Sequence, residues 1–178
     1  MEYRTNIYFL DNHSNLQERK SKFQEIDGFP NVIGAIDGTL IPIQRPTTNE
    51  HLYVCRKNFH AINCLAVCDA NLFFLFVNCK YPGSANDSFI FRNSALASFL
   101  SDGRCNGVLL GDSAFPLKKF LMTPFLHPSS VEMKSYNSAH SKTRNTIERA
   151  FGVLGPFIFD LKKWKFWPNN VKFWQILT

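Results

Sequence analysis

The sequence has no Cys-x-x-Cys, no His-x-x-x-His and no glycine-rich phosphate loop. The first two absences leave a zinc site without support. The third removes the usual signature of a nucleotide-dependent metabolic enzyme. Met1-Glu2-Tyr3-Arg4-Thr5-Asn6 leads into no secretory apolar segment, and a secreted enzyme is not expected. The densest apolar run, Leu72 to Val77, is far too short to cross a bilayer. A soluble, intracellular protein with no membrane partner is therefore expected. Internal repeats, low-complexity segments and a DNA-binding helix-turn-helix are absent as well. Ser113 has no identifiable base to make it a nucleophile.

Cysteine is sparse and odd in number, at 55, 64, 68, 79 and 105. All five are expected to be reduced, mostly buried thiols. Cys64 and Cys68 share parity within one apolar segment, so as strand residues they share a face.

The chain has 178 residues, 45% of them apolar, enough for one domain with a substantial core. Eighteen Phe make it strongly aromatic. The net charge of +6 and pI of about 9.1 favour an anionic partner only mildly, because the basic residues are spread along the chain.

Apolar patterning organises the chain. Leu16 to Phe23 reads as the end of a helix. Val32 to Ile43 reads as a strand broken at Asp37-Gly38. His60 to Cys68 and Leu72 to Cys79 form a hairpin around Asp69-Ala70-Asn71. Tyr81 to Ser84 is a loop, and Asn86 or Asp87 caps a helix over 88–100. Val108 to Leu110 is a short buried strand, and Lys118 to Met122 a helical turn. His127 to Tyr136 is a loop. Ser138 to Leu154 is a helix with an apolar stripe of Ile147, Ala150, Phe151 and Leu154, stopped by Gly155-Pro156. Strands followed by a helix, a strand and a helix match an α/β, ribonuclease-H-like mixed sheet flanked by helices.

Four carboxylates stand out on this plan. Asp37 closes the run Val32-Ile33-Gly34-Ala35-Ile36, and Asp112 closes Val108-Leu109-Leu110-Gly111. Asp87 opens a helix, and Glu148 sits at the edge of the last helix's stripe. An acid at a strand end emerges at the rim of a sheet, where side chains from several strands can converge on an ion. Hard divalent cations take such oxygens, with room left for water and phosphate. The pattern points to metal-dependent phosphodiester cleavage. Each acid also has a plainer reading. Asp37 and Asp112 can cap turns, Asp87 can cap its helix, and Glu148 can simply pair with Arg144.

Six stretches carry a resemblance. They are Gly28-Phe29-Pro30-Asn31-Val32-Ile33-Gly34-Ala35-Ile36-Asp37-Gly38-Thr39, Tyr53 to Asn63, Tyr81-Pro82-Gly83-Ser84-Ala85-Asn86-Asp87-Ser88, Leu110 to Phe115, Tyr136 to His140, and Ile147-Glu148-Arg149-Ala150-Phe151-Gly152. In this order they resemble the catalytic domain of the PIF/Harbinger transposases and the nucleases derived from them. The likeness covers roughly residues 28–155 and divides the chain into a partial N-terminal region (1–28), a DDE endonuclease domain (29–155) and an aromatic-rich tail (156–178) with Trp164, Trp167 and Trp174. The family's chains extend further at both ends, so the likeness implies a chain truncated at both ends. Many members carry His where Leu40 stands.

The resemblance implies that Asp37, Asp112 and Glu148 are the catalytic triad, with Asp87 a further metal ligand. Thirty-five residues separate Asp112 from Glu148, a spacing that suits a DDE enzyme. It implies two Mg²⁺ or Mn²⁺ ions as cofactors, bridged by Asp37, with Asp112 on one, Glu148 on the other and Asp87 assisting. DNA is the implied substrate, and His140, Lys142, Arg144, Arg56 and Lys57 are candidates for its phosphates. A Myb-like DNA-binding partner and a nuclear location also follow from the family, and self-association is left open. The alternative reading is a transposase fragment that binds DNA or protein and cuts nothing.

Overall fold

The computed structural model describes residues 13–160 except Arg104. The chain folds as α1 (His13–Asp27), β1 (Val32–Pro42), α2 (Glu50–Tyr53), β2 (Ala61–Cys68), β3 (Phe74–Pro82), α3 (Asp87–Arg92), α4 (Ala95–Ser101), β4 (Val108–Leu110), β5 (Leu121–Met122) and α5 (Val131–Asp160). The five strands make one sheet in the order β3-β2-β1-β4-β5. β1, β2 and β3 pair antiparallel, whereas β1–β4 and β4–β5 are parallel. This is an α/β fold with a mixed sheet and flanking helices, in the ribonuclease-H-like plan.

The sheet is covered on both faces. Ile36, Leu65, Val67 and Phe76 pack with Ile90, Phe91, Leu96 and Leu100 of α3 and α4. Ala35, Cys64, Ala66, Cys68 and Val77 pack with Ile147 and Ala150 of α5. Cys64 and Cys68 do share a face. Phe74 stacks on Phe151 with ring centroids 5.9 Å apart. β2 is buried at every position, as expected for an inner strand covered on both sides.

Several boundaries differ from the sequence reading, each for a physical reason. β1 is not broken at Asp37-Gly38. Asp37 pairs with Ala66 and Gly38 with Leu65, so β2 carries the ladder onward past the end of β4. β3 starts at Phe74 because Leu72 adopts a left-handed conformation, φ 72°, and Asp69 Oδ1 accepts the Asn71 and Phe73 N–H groups at 2.9 Å each. It runs on through Tyr81 and Pro82, which pair with Asn63 and Ile62. The helix expected over 88–100 is two helices. Ser94 ends the first by donating its hydroxyl to Phe91 O at 2.7 Å, and caps the second by accepting from Ala97 N at 3.2 Å.

Lys118 to Met122 is no helical turn. It folds back through a Lys118–Leu121 bridge into β5, which buries Leu121 against β4. α5 starts seven residues earlier than expected, where Ser130 Oγ accepts the Met133 N–H at 3.2 Å. It also continues through Gly155-Pro156 to Asp160. Proline removes one ladder donor, but its fixed φ is itself helical. The expected aromatic tail therefore begins as helix, and Trp164, Trp167 and Trp174 lie outside the described residues, as do residues 1–12 of the expected N-terminal region.

One cysteine expectation is also corrected. Cys64 and Cys79 face each other across β2 and β3, with Cα atoms 4.1 Å apart, and are joined as a disulfide. Cys55, Cys68 and Cys105 are free. Parity along one strand cannot reveal the neighbour on the next. Among the described residues no helix is long and apolar enough to cross a membrane.

Leu109 is fully buried between β1 and β5. Leu109→Ala should cost about 3 kcal/mol of unfolding free energy, read from the denaturation midpoint with the slope unchanged.

Candidate active site

Parallel pairing brings the first two acids together. Ala35 of β1 pairs with Leu110 of β4. Asp37 and Asp112 each lie two residues further on, Asp37 still within β1 and Asp112 just past the end of β4, which brings the two acids into one neighbourhood. Asp37 is mostly buried, with its side chain 19% exposed. Its Oδ1 accepts the Gly38 N–H at 2.9 Å. Its Oδ2 accepts from Arg144 Nη1 at 3.0 Å. Asp112 Oδ1 accepts the Ala114 N–H at 2.9 Å. The turn-capping role considered for Asp112 is real, and it uses one carboxylate oxygen of two.

Asp87 is not the helix cap. Asn86 takes that role, its Oδ1 accepting the Phe89 N–H at 2.8 Å. Asp87, the first residue of α3, instead turns its carboxylate onto β1. A Cβ at Gly38 would collide with Asp87 Oδ1, so only glycine leaves room for the carboxylate there. Asp87 Oδ1 also accepts from Asn63 Nδ2 at 2.7 Å.

The fourth acid, Glu148, is on α5 one turn beyond Arg144. The Arg144 guanidinium reaches Asp37 with Nη1 and Glu148 with Nη2. A cation thus links the strand acid to the helix acid. Among the described residues no three acids, histidines or cysteines are drawn closely enough to hold an ion as they stand.

Electrostatics bind the three aspartates into one group. Burial raises the pKa of Asp37 above its ordinary value. The Arg144 charge and the Gly38 N–H oppose the rise, and the Asp112 charge adds to it. Burial likewise raises the pKa of Asp87, opposed by the Asn63 hydrogen bond and the Arg56 charge and reinforced by Asp112. Asp112 therefore repels both of the other aspartates. Oxygen-only donors under mutual repulsion fit a hard divalent cation, which would relieve that repulsion.

The basic candidates separate clearly. Arg56 and Lys57 are exposed at the tip of a tight turn, closed by Asn58 N–H donating to Cys55 O at 2.9 Å with Asn58 at φ 58°. Arg56 is near enough to Asp87 to act on its charge. Lys142 is exposed and pairs with Asp27 at 2.9 Å. His140 is a correction to the phosphate-contact expectation. It is 1% exposed, its Nε2 lies 3.1 Å from Met122 O, and it packs on Phe29 and Tyr136. Burial holds its pKa below the ordinary value, so it is kept neutral and away from the surface. Arg144 lies inside the site, its guanidinium paired with Asp37 and Glu148. The helix stripe was read too short on the N-terminal side, where His140, Thr143 and Thr146 are buried with Ile147.

Residues 36–159 match the DDE superfamily endonuclease family. The chain belongs to that family. It is 37% identical over 149 residues to "Putative nuclease HARBI1" of Bos taurus and 36% identical to the Homo sapiens protein of the same name. Both likenesses cover 83% of this chain and 43% of the relative. "Protein ALP1-like" of Arabidopsis thaliana is 35% identical over 166 residues, covering 83% of this chain and 41% of that protein. The chain thus spans less than half the length of the curated relatives it matches. The Harbinger resemblance holds, with homologues named as nucleases. No solved structure matches the chain.

Two aspartates with raised pKa values bind more protons folded than unfolded, over the range from the ordinary carboxylate value up to the raised one. Stability of the metal-free protein should therefore fall as pH rises through that range and remain lower above it. Asp87→Asn keeps size and removes one repelled charge. Melts in EDTA between about pH 4 and pH 7 should show a shallower fall for Asp87→Asn and a higher melting temperature than wild type at neutral pH. A parallel pair of curves would separate Asp87 from the acid group.

Proposed function

We propose that this chain carries the hydrolytic centre of a metal-dependent DNA endonuclease of the Harbinger type. The supporting observation is that Asp112, just past β4, lies near enough to Asp37 on the parallel strand β1 to act on its charge, and near enough to Asp87, which rests against Gly38, to act on its charge as well. Asp37, Asp87, Asp112 and Glu148 would hold divalent metal ions. Such ions supply activation of water for attack on the phosphodiester and stabilisation of the leaving oxygen.

The chain's own residues do the positioning. β1 and β4 hold the strand acids on a rigid sheet, and α5 presents Glu148 at the rim. Arg144 balances Asp37 and Glu148 when no other cation is present. Arg56 stands near enough to Asp87 to act on its charge, with Lys57 next to it in the same exposed turn, and both can hold phosphates flanking the bond to be cut. The nucleus is the location that suits such a substrate.

One observation favours the second reading, a module that binds but does not cut. Arg144 already occupies Asp37 and Glu148, and the acids do not converge in its presence. The two readings differ in one assay. The nuclease should nick supercoiled plasmid in Mg²⁺ or Mn²⁺ and not in EDTA, and Asp112→Asn should fall to the EDTA background while melting as a folded protein. DNA binding without nicking in either metal would favour the binding module.

Arg56→Ala should weaken binding to all DNA sequences alike. The slope of log affinity against log salt should shrink by about one unit. An unchanged slope would make Arg56 only a solvated turn residue.

A further inference from the structure

Asn63 is the polar exception in a strand buried along its whole length. It is 5% exposed. Its Nδ2 donates twice, to Ala85 O at 2.8 Å and to Asp87 Oδ1 at 2.7 Å. Both partners are acceptors, so only the nitrogen end of the amide can face them. That orientation leaves Asn63 Oδ1 buried with no hydrogen-bond partner. A buried acceptor without a donor weakens a fold, whereas an apolar side chain of similar size avoids that loss. The oxygen end of the amide therefore gives no reason for asparagine here.

What the nitrogen holds does account for it. Ala85 and Asp87 bracket the helix cap Asn86, so the two bonds tie the entry of α3 to the middle of the sheet. The carboxylate comes to rest on the bare backbone of Gly38, next to the residue that carries the Asp37 carboxylate. Three parts set this one position: a donor from β2, a missing Cβ on β1 and the first turn of α3.

We propose that Asn63 is a positioning residue that orients the Asp87 carboxylate toward a divalent cation, with Gly38 supplying the space. The inference rests on the metal-binding reading above. Outer partners of metal-ligating carboxylates fix ligand orientation, and their loss typically costs about 10- to 100-fold in metal affinity.

The test is calorimetric titration of Mn²⁺ into the metal-free chain, with its melting temperature in EDTA measured alongside. Asn63→Leu should raise the Mn²⁺ Kd by about tenfold or more in protein whose metal-free melt shows it to be folded. In an Asp87→Asn background, Asn63→Leu should weaken binding no further, since the two act through one carboxylate. Gly38→Ala, which displaces the same carboxylate from the other side, should weaken Mn²⁺ binding as well, and it decides the matter if Asn63→Leu does not fold. An unchanged Kd in the variant that folds, or single effects that simply add in the double variant, would overturn the proposal. Wild type that takes up no Mn²⁺ would overturn the metal-binding reading and this inference together. Wild-type binding with an unaffected variant would overturn this inference alone.

Discussion

The parallel pairing of β1 with β4 is the constraint on which the rest of the site depends. Antiparallel strands send corresponding residues to opposite ends of a sheet. Parallel strands run side by side in one direction, so the pairing of Ala35 with Leu110 brings the end of β4 and Asp112 beside the middle of β1 and Asp37. The pairing requires a long connection, and the chain uses it to build β2, β3, α3 and α4. That connection is not idle. It brings back Asn63 and Asp87, which complete the rim from the other side of β1.

Gathering acids works against folding. Burial raises Asp37 and Asp87, and Asp112 adds repulsion to each. Arg144 is the structure's answer in the absence of metal, one guanidinium shared between Asp37 and Glu148. Its fork geometry suits two carboxylates at once, which a lysine ammonium would not match as well. The same α5 side that supplies Arg144 also buries His140, Thr143 and Ile147, so the helix that carries Glu148 is anchored by its core face. Disposition of charge and packing of the core are settled together on one element.

Much of this was legible in the residues. Apolar runs marked the four longer strands to within a few residues. The six motifs, in order, pointed to the family that the match over residues 36–159 establishes. The failures are also instructive. Asp37-Gly38 reads as a break because glycine usually ends a strand, yet here it continues one in order to admit a neighbouring carboxylate. Gly155-Pro156 reads as a stop, yet α5 continues. Asp87 and Asn86 are equally good caps by composition, and only the fold shows that Asn86 caps while Asp87 turns inward. His140 and Arg144 read as surface cations on a helix, but packing against Phe29 and Tyr136 buries one and Asp37 draws in the other.

Asn63 marks the boundary between the two kinds of information. Its signal in the sequence was a single amide amid Ala-Ile and Cys-Leu-Ala-Val-Cys, visible but without a partner. By itself the sequence determined which residues could be buried and where chain direction changed, because these follow from local periodicity and side-chain polarity. The tertiary structure alone decided that Arg144 stands between Asp37 and Glu148, that Asp87 rests against Gly38, and which cysteines are neighbours. Those choices depend on strand order and register, set by contacts between residues far apart in the chain, and no local pattern encodes them.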